Sequence, residues 1–420
     1  MAQTLAQKIL AKASGASHVD PGEIVSIKVD LAMAHDSSGP RRWRPRLEEL
    51  ETGLWDRDKV VIVSDHYVPA VDAESAAILK YTRDFVRDYG VKHFYDMRGI
   101  CHVILPEHGH LKPGMVVAGG DSHSTNAGAF GCYAAGFGAT DMTAIVATGE
   151  TWTVVPETVR VNWDGVFSKG IVAKDIMLHL CRELGMGNHF RAIEYGGSTV
   201  RAMRMEDRMV LCNMAAELGG ETGMVEADAK TLAHIAAHGG GEASIDDWYS
   251  DDDAVFLSVH NYDAAALEPQ AAAPHSPANS APISEHEPVA ITQAYIGACV
   301  GAKLSDLHMA AEVLKGQKIA SSTRLLVAPS SAKVYEAASE DGTLASLTAA
   351  GAIMLPSGCG ACAGMGAGLL AAGETCLSST NRNFKGRMGS AEANVWLGSP
   401  YTVAASAITG HLTDPREFLS

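Results

Sequence analysis

Positive charge is scarce in this chain: 33 Lys and Arg face 49 Asp and Glu, a formal net charge of -16. That balance argues against polyanionic partners, because nucleic-acid binding draws much of its affinity from a basic surface. Any anionic ligand must therefore meet local positive charge. No run of about 18 apolar residues occurs, so no membrane-spanning helix is expected. The stretch from Met1 to Leu10 lacks a charged leader, apolar core and small-residue cleavage site, which predicts no signal peptide and a cytoplasmic protein. Eight cysteines in 420 residues are too few for a disulfide framework, and in a reducing compartment they read as thiols or ligands. What is plentiful is apolar content, 47%, and glycine, 42 residues, the mark of a well-buried, loop-rich protein of two or three packed domains.

Residues 5–14 have the apolar spacing of an amphipathic helix, and 23–30 alternate as a strand does. That strand is expected to run into a polar, turn-rich tail, leaving His35 just beyond its end. The basic stretch from Arg41 to Arg46 reads as a solvated loop with one stacked arginine. Residues 59–64 are a nearly continuous apolar run, the pattern of a strand buried on both faces, and they stop at Asp65-His66. A helix follows, with Ser75 as its cap, Ile78, Tyr81, Phe85 and Tyr89 on its buried stripe, and Gly90 at its end. A short strand precedes Gly99-Ile100-Cys101-His102, and 114–120 delivers Asp121-Ser122-His123-Ser124-Thr125 from another strand end.

Helices are expected over 173–184 and 205–218, the second carrying Asn213 and Glu217 on one face. From 238 to 288 the composition shifts to Gly, Asp, Pro and Ala, which predicts a linker. Beyond it a strand over 291–297 leads to Cys299, a helix spans 305–315, and a strand at 324–328 leads to a helix from Ser331. This alternation predicts an α/β fold with mostly parallel sheets in two regions, 1–285 and 286–420. His35, His66, His123, Cys299 and Cys359 all follow strand ends, where open α/β sheets hold their ligands.

Two thiols stand in the glycine-rich Leu355-Pro356-Ser357-Gly358-Cys359-Gly360-Ala361-Cys362, and a third in Gly297-Ala298-Cys299-Val300-Gly301. Cys-x-x-Cys is shared by redox pairs and half zinc sites. A zinc site wants a further Cys or His nearby, and a redox pair needs no third thiol. Three thiolates on a four-iron cluster would leave one iron open as a Lewis acid. Spacing alone leaves these readings open. Cys101, Cys132, Cys181, Cys212 and Cys376 sit in apolar or helical contexts and read as buried thiols. Asp65-His66 and Asp121-Ser122-His123 each put a carboxylate beside an imidazole, which can fix its tautomer and raise its pKa toward proton donation. Arg382 and Arg387, in Asn381-Arg382-Asn383-Phe384-Lys385-Gly386-Arg387, are read as carboxylate clamps.

Together these motifs resemble the aconitase superfamily, specifically the large, catalytic subunit of the 3-isopropylmalate dehydratase and homoaconitase group. The resemblance runs from about Val29 to Leu419 and takes in Ala266-Leu267-Glu268-Pro269-Gln270 and Pro274-His275-Ser276-Pro277. It implies an aconitase-like fold of α/β/α units around a central cluster site, without the C-terminal swivel domain. It implies a [4Fe-4S] cluster on Cys299, Cys359 and Cys362, with one iron free of cysteine to bind a hydroxy acid. By the same resemblance His66, paired with Asp65, would protonate the leaving hydroxyl, and Asp121, His123 and Glu217 would order the iron-bound water. His35, His102, Ser122, Asn213 and Asn381 match further active-site positions, and Arg382 and Arg387 would hold a substrate carboxylate. The family's catalytic base is a serine on a swivelling domain, so a small partner subunit is expected to supply it.

The sequence departs from the family around Cys299, where Gly297-Ala298-Cys299-Val300-Gly301-Ala302-Lys303 replaces the usual Ser, Thr, Asn and Arg. It departs again at Glu150, where the isopropylmalate enzymes carry Lys, and at the basic Arg41 to Arg46. The expected activity is a hydro-lyase on a malate-type 2- or 3-hydroxy acid, 3-isopropylmalate foremost. Homoaconitate, 2,3-dimethylmalate, citramalate and maleate are the alternatives within the family, and a non-catalytic iron-sensing relative is the alternative outside catalysis.

Overall fold

The computed structural model describes residues 2–419. The helix Leu5–Ser14 forms as its spacing predicts, opened by a Thr4–Gln7 capping box and closed by Gly15 at φ 77°. Ile24–Lys28 pairs antiparallel with Glu150–Val154 as a separate ribbon. The next run, Leu31–His35, is a wholly buried strand in its own right, so His35 is its last residue and not part of a tail beyond it. The run's apolar residues, covered on both faces, suit the interior of a parallel sheet.

That strand is central in a five-stranded parallel sheet ordered His93–Asp96, Val60–Ser64, Leu31–His35, Val116–Gly119, Tyr133–Gly136. The last of these was hidden in a glycine-rich run whose small residues carry little strand signal. The expected loop at Arg41 to Arg46 is a helix, Pro40–Glu49, anchored by buried Trp43 and Leu47. Its Arg44 does stack, over the rings of Tyr81, Phe85 and Tyr89, and pairs with Asp88 at 2.8 Å. The helix Ala73–Tyr89 ends at Gly90 as expected, but its cap is Asp72, which accepts from the Ser75 amide at 2.7 Å.

A second parallel sheet, ordered Thr222–Val225, Arg191–Gly196, Glu157–Asp164, Ser258–Asp263, packs against the first through one continuous core. The helix expected over 205–218 stops at Asn213 and tightens into a 3₁₀ turn, Met214–Ala216. The strand at Thr222–Val225 presses close on that turn, since a Cβ on Gly223 would meet the Ala215 side chain at 2.6 Å.

The third sheet has seven strands, ordered Ser280–Pro282, Gln270–Ala272, Asn394–Gly398, Thr375–Ser378, Gln293–Ile296, Arg324–Val327, Ile353–Met354. The last five are mutually parallel. The Pro- and Ala-rich stretch expected to be a linker is folded into this sheet. Gln270–Ala272 pairs antiparallel with Asn394–Gly398, so the second unit reaches back across the boundary expected at 285. Small residues make that stretch look unstructured by composition, yet Gln270, Ala271 and Ala272 are buried. Among the described residues no helix is long and apolar enough to cross a membrane.

Candidate active site

Loops at the C-terminal ends of the first and third sheets face each other, and the polar residues singled out above meet between them. His66 and Asp65 follow Val60–Ser64. The Asp65 carboxylate receives the His66 ring at Nδ1, 2.6 Å away, and the Cys101 amide at 2.7 Å. Burial favours neutral forms of both, but each outweighs that for the other. His66 is raised to about 9 by the Asp65 carboxylate, and Asp65 is lowered to about 2 by the His66 cation. They form a buried ion pair with the proton on the imidazole. The His35 ring stacks on His66 with centroids 3.8 Å apart.

Asp36 holds this corner in shape. Fully buried, it accepts the backbone amides of Asp65, His66 and Tyr67 at 3.3, 3.0 and 2.9 Å. Sequence reasoning passed it over because its role is to receive amides, and its one signal was its place at a strand end.

Asp121 caps the 3₁₀ helix Ser122–Phe130 and gathers three histidines. His102 Nε2 lies 2.8 Å from its Oδ1, His123 Nδ1 lies 3.4 Å from the same oxygen, and His35 Nε2 lies 3.6 Å from Oδ2. Burial opposes its ionisation, yet the bonds from His102, His123 and His35 hold it well below the usual carboxylate range. Burial lowers His102, whereas Glu217 and Asp121 overcome burial and raise His123. Glu217 closes the chain: its Oε1 lies 3.0 Å from His123 Nε2 and accepts from Arg382 Nε at 2.7 Å. Its Oε2 is buried and, among the described residues, has no hydrogen-bond partner. Burial would raise Glu217, and His123 and Arg382 together lower it. Ser122 is the exposed member of its helix.

On the opposite wall Asn381 donates to Asn213 at 2.5 Å, and Asn213 donates to the Cys299 sulfur at 3.2 Å and to Asn126 at 3.3 Å. Asn126 also donates to the His102 carbonyl at 2.9 Å, a bridge between walls that no spacing announced. Cys359 lies against the first unit, its amide 2.8 Å from the Asp65 carbonyl and its sulfur 3.8 Å from Asp65 Oδ2. A Cβ on Gly358 would strike that carbonyl at 2.8 Å, so this close approach requires glycine. The Arg387 backbone borders Gly364, and its Nε is buried without a partner.

Residues 7–410 match the aconitase family (aconitate hydratase). The chain belongs to the aconitase family. It is 46% identical to 3-isopropylmalate dehydratase large subunit 1 of Methanopyrus kandleri, over all of both chains. It is 43% identical to the methanogen homoaconitase large subunit of Methanocaldococcus jannaschii, covering 98% of this chain and 99% of that one. Among solved structures it is similar to the holo-form of Thermococcus kodakaraensis aconitase X, with a TM-score of 0.53 over 96% of this chain and 95% of that one. At 14% identity that likeness shows the shared fold.

Membership of the aconitase family implies an iron-sulfur cluster, and the residues fit one. Cys299, Cys359 and Cys362 are free thiols on loops that meet, and none of them is in a disulfide. Burial, reinforced by Cys362, pushes Cys299 up to about 12, and burial with Asp65 and Cys362 raises Cys359 well above its ordinary value. Soft donors grouped in so buried a place are stable as thiolates only against a cation.

Proposed function

We propose that this chain is the catalytic large subunit of a hydro-lyase that removes and restores water on a small malate-type hydroxy acid, 3-isopropylmalate or a close relative. The observation that carries the reading is the meeting, in one cleft, of three free thiols, a buried Asp65–His66 ion pair and Arg382 against Glu217. Cys299, Cys359 and Cys362 would hold a [4Fe-4S] cluster with one iron free of cysteine, supplying a Lewis acid for the substrate's oxygens when bound.

The rest of the work falls to this chain's side chains. His66, with Nδ1 engaged by Asp65, keeps a proton on Nε2 to give to the departing hydroxyl. Asp121, anionic among three imidazoles, acts with His123 and the unpartnered Glu217 Oε2 to orient the water that leaves and returns. Arg387, with a free buried Nε, and Arg382 receive a substrate carboxylate. His35, His102, Asn213 and Asn381 set the orientation of these groups, and Ser122 lies at the exposed edge to meet substrate.

In this cleft Asp65, Asp121 and Glu217 are all held below the usual carboxylate range by their imidazole and guanidinium partners, which makes them weak bases. By the resemblance to the family, whose relatives are named large subunits, removal of the carbon-bound proton is assigned to a serine on a swivelling domain carried by a small subunit. The test is anaerobic reconstitution with iron and sulfide, then an absorbance assay for enoate across malate-type acids. Turnover is expected when the small subunit is added and absent without it, and Cys359→Ser should abolish both cluster absorbance and turnover. Turnover by the large chain alone overturns the partner assignment. Homoaconitate belongs in the substrate panel because of the Methanocaldococcus jannaschii relative.

A further inference from the structure

Lys174 is the second residue of the helix Ala173–Glu183 and is 1% exposed. Its ammonium has two partners, both neutral: the Thr380 carbonyl at 2.6 Å and the Met214 thioether at 3.4 Å. The neighbouring Asp175 carboxylate is spent on the amides of Val172 and Gln270. A buried ammonium without a counter-ion is among the costliest groups a fold can hold, and burial lowers this one to about 8.

The groups that favour its charge from a distance are Glu217 and the thiols of Cys181, Cys362 and Cys299. Glu217 is already matched by His123 and Arg382. Burial raises the Cys181 thiol, which stays neutral. That leaves Cys362 and Cys299, which become anionic when metal binds. Three thiolates outweigh the charge of an oxidised four-iron core, so the loaded site is an anion beside an unmatched cation. Both neutral partners of Lys174 also lie next to site residues, Thr380 before Asn381 and Met214 after Asn213.

We propose that Lys174 is the counter-charge of the thiolate-bound cluster, a positioning residue that ties the Asn381–Arg382 turn to the Asn213–Glu217 turn and sets the cluster's reduction potential. The proposal rests on the cluster reading above. Reduction makes the cluster more negative, so a fixed cation nearby favours it.

The experiment compares anaerobically reconstituted full-length wild type, Lys174→Met and Lys174→Arg by iron and sulfide content, redox titration followed by electron paramagnetic resonance, and melting of the metal-free proteins. Lys174→Met is expected to fold metal-free, melt within a few degrees of wild type, load the same iron, and show a more negative midpoint potential. Lys174→Arg should keep the wild-type potential. Equal potentials in Lys174→Met and wild type overturn the proposal, as does Lys174→Arg shifting with Lys174→Met. A metal-free Lys174→Met chain that fails to fold makes Lys174 a structural pin and overturns it too. Wild type that takes up no cluster is a different failure, that of the cluster reading itself.

Discussion

His66 and Arg387 carry the sharpest consequences at the scale of single residues. The Asp65 carboxylate raises the His66 pKa to about 9, so the ring is a cationic donor below that pH and loses its proton above it. Activity of the loaded complex should hold through neutral pH and fall as pH rises past about 9, read as the alkaline limb of a kcat profile. His66→Gln, which has no acidic proton, should lower kcat by about 10² to 10⁴ and remove that limb. A limb unchanged in His66→Gln belongs to another group. Arg387 is tested by Arg387→Lys, which keeps charge and loses the fork. KM should rise about tenfold, equivalent to roughly 1.4 kcal/mol, with the melting temperature unchanged. Of the site's parts, Asp65-His66 was legible because the two are sequence neighbours and remain bonded. Asp36 and Asn126 were not, because backbone amides and a distant carbonyl are their partners.

Two elements decide how well the site is held. The 3₁₀ helix Ser122–Phe130 is pressed against the second sheet so closely that a Cβ on Gly128 would meet the Gly223 carbonyl oxygen at 1.7 Å. Gly128→Ala must displace backbone, and about 3 kcal/mol or more of stability should be lost, measured by denaturant unfolding. The helix Ala229–Ala237 brings a second weak point. His234 stacks on His238, and His110 packs against His93 and Tyr95. Burial, then neighbouring imidazoles, lowers both His234 and His110 to about 4. A lowered histidine binds its proton later in the folded chain than in the unfolded one, whose pKa is about 6.5. The share of stability that His234 and His110 contribute should therefore be level above pH 6.5 and be lost between 6.5 and about 4, whereas the share from His66 is lost as pH rises from 6.5 to about 9. His234→Phe should flatten that slope in melts across the range, and an unflattened slope places the proton uptake elsewhere.

For the whole molecule, the candidate cluster adds a tie between units whose cores are already continuous through Ala272, Val300 and Leu397. Cys299 and the Cys359–Cys362 pair come from the third sheet, while Asp65 against Cys359 and Asn213 against Cys299 come from the first two. Chelation of the metal should lower the melting temperature, since a ligand that binds only the folded chain stabilises it by mass action. Hydrogen exchange should rise in residues 298–302 and 358–366 and stay slow in the buried strand Leu31–His35. Equal melting temperatures with and without metal would mean that the loops are already set by protein contacts alone.

The sequence by itself determined the α/β class, most strand ends, the three candidate thiols and the family, because periodicity and ligand-type residues are local signals. Of the stretch from 238 to 288 read as a linker, 258–263, 270–272 and 280–282 are strands, since small residues give no pattern until a sheet covers them, and the tail expected after residue 30 is a second strand, Leu31–His35. Only the tertiary structure decided which distant groups pair: His123 with Glu217 across 94 residues, Asn213 with Cys299 across 86, and Asn381 with Asn213 across 168. It also decided that Lys174 lies buried behind them with no carboxylate in contact among the described residues. Such choices follow from how three sheets stack, and burial then sets the charges, a property of the assembled interior that no stretch of chain carries alone.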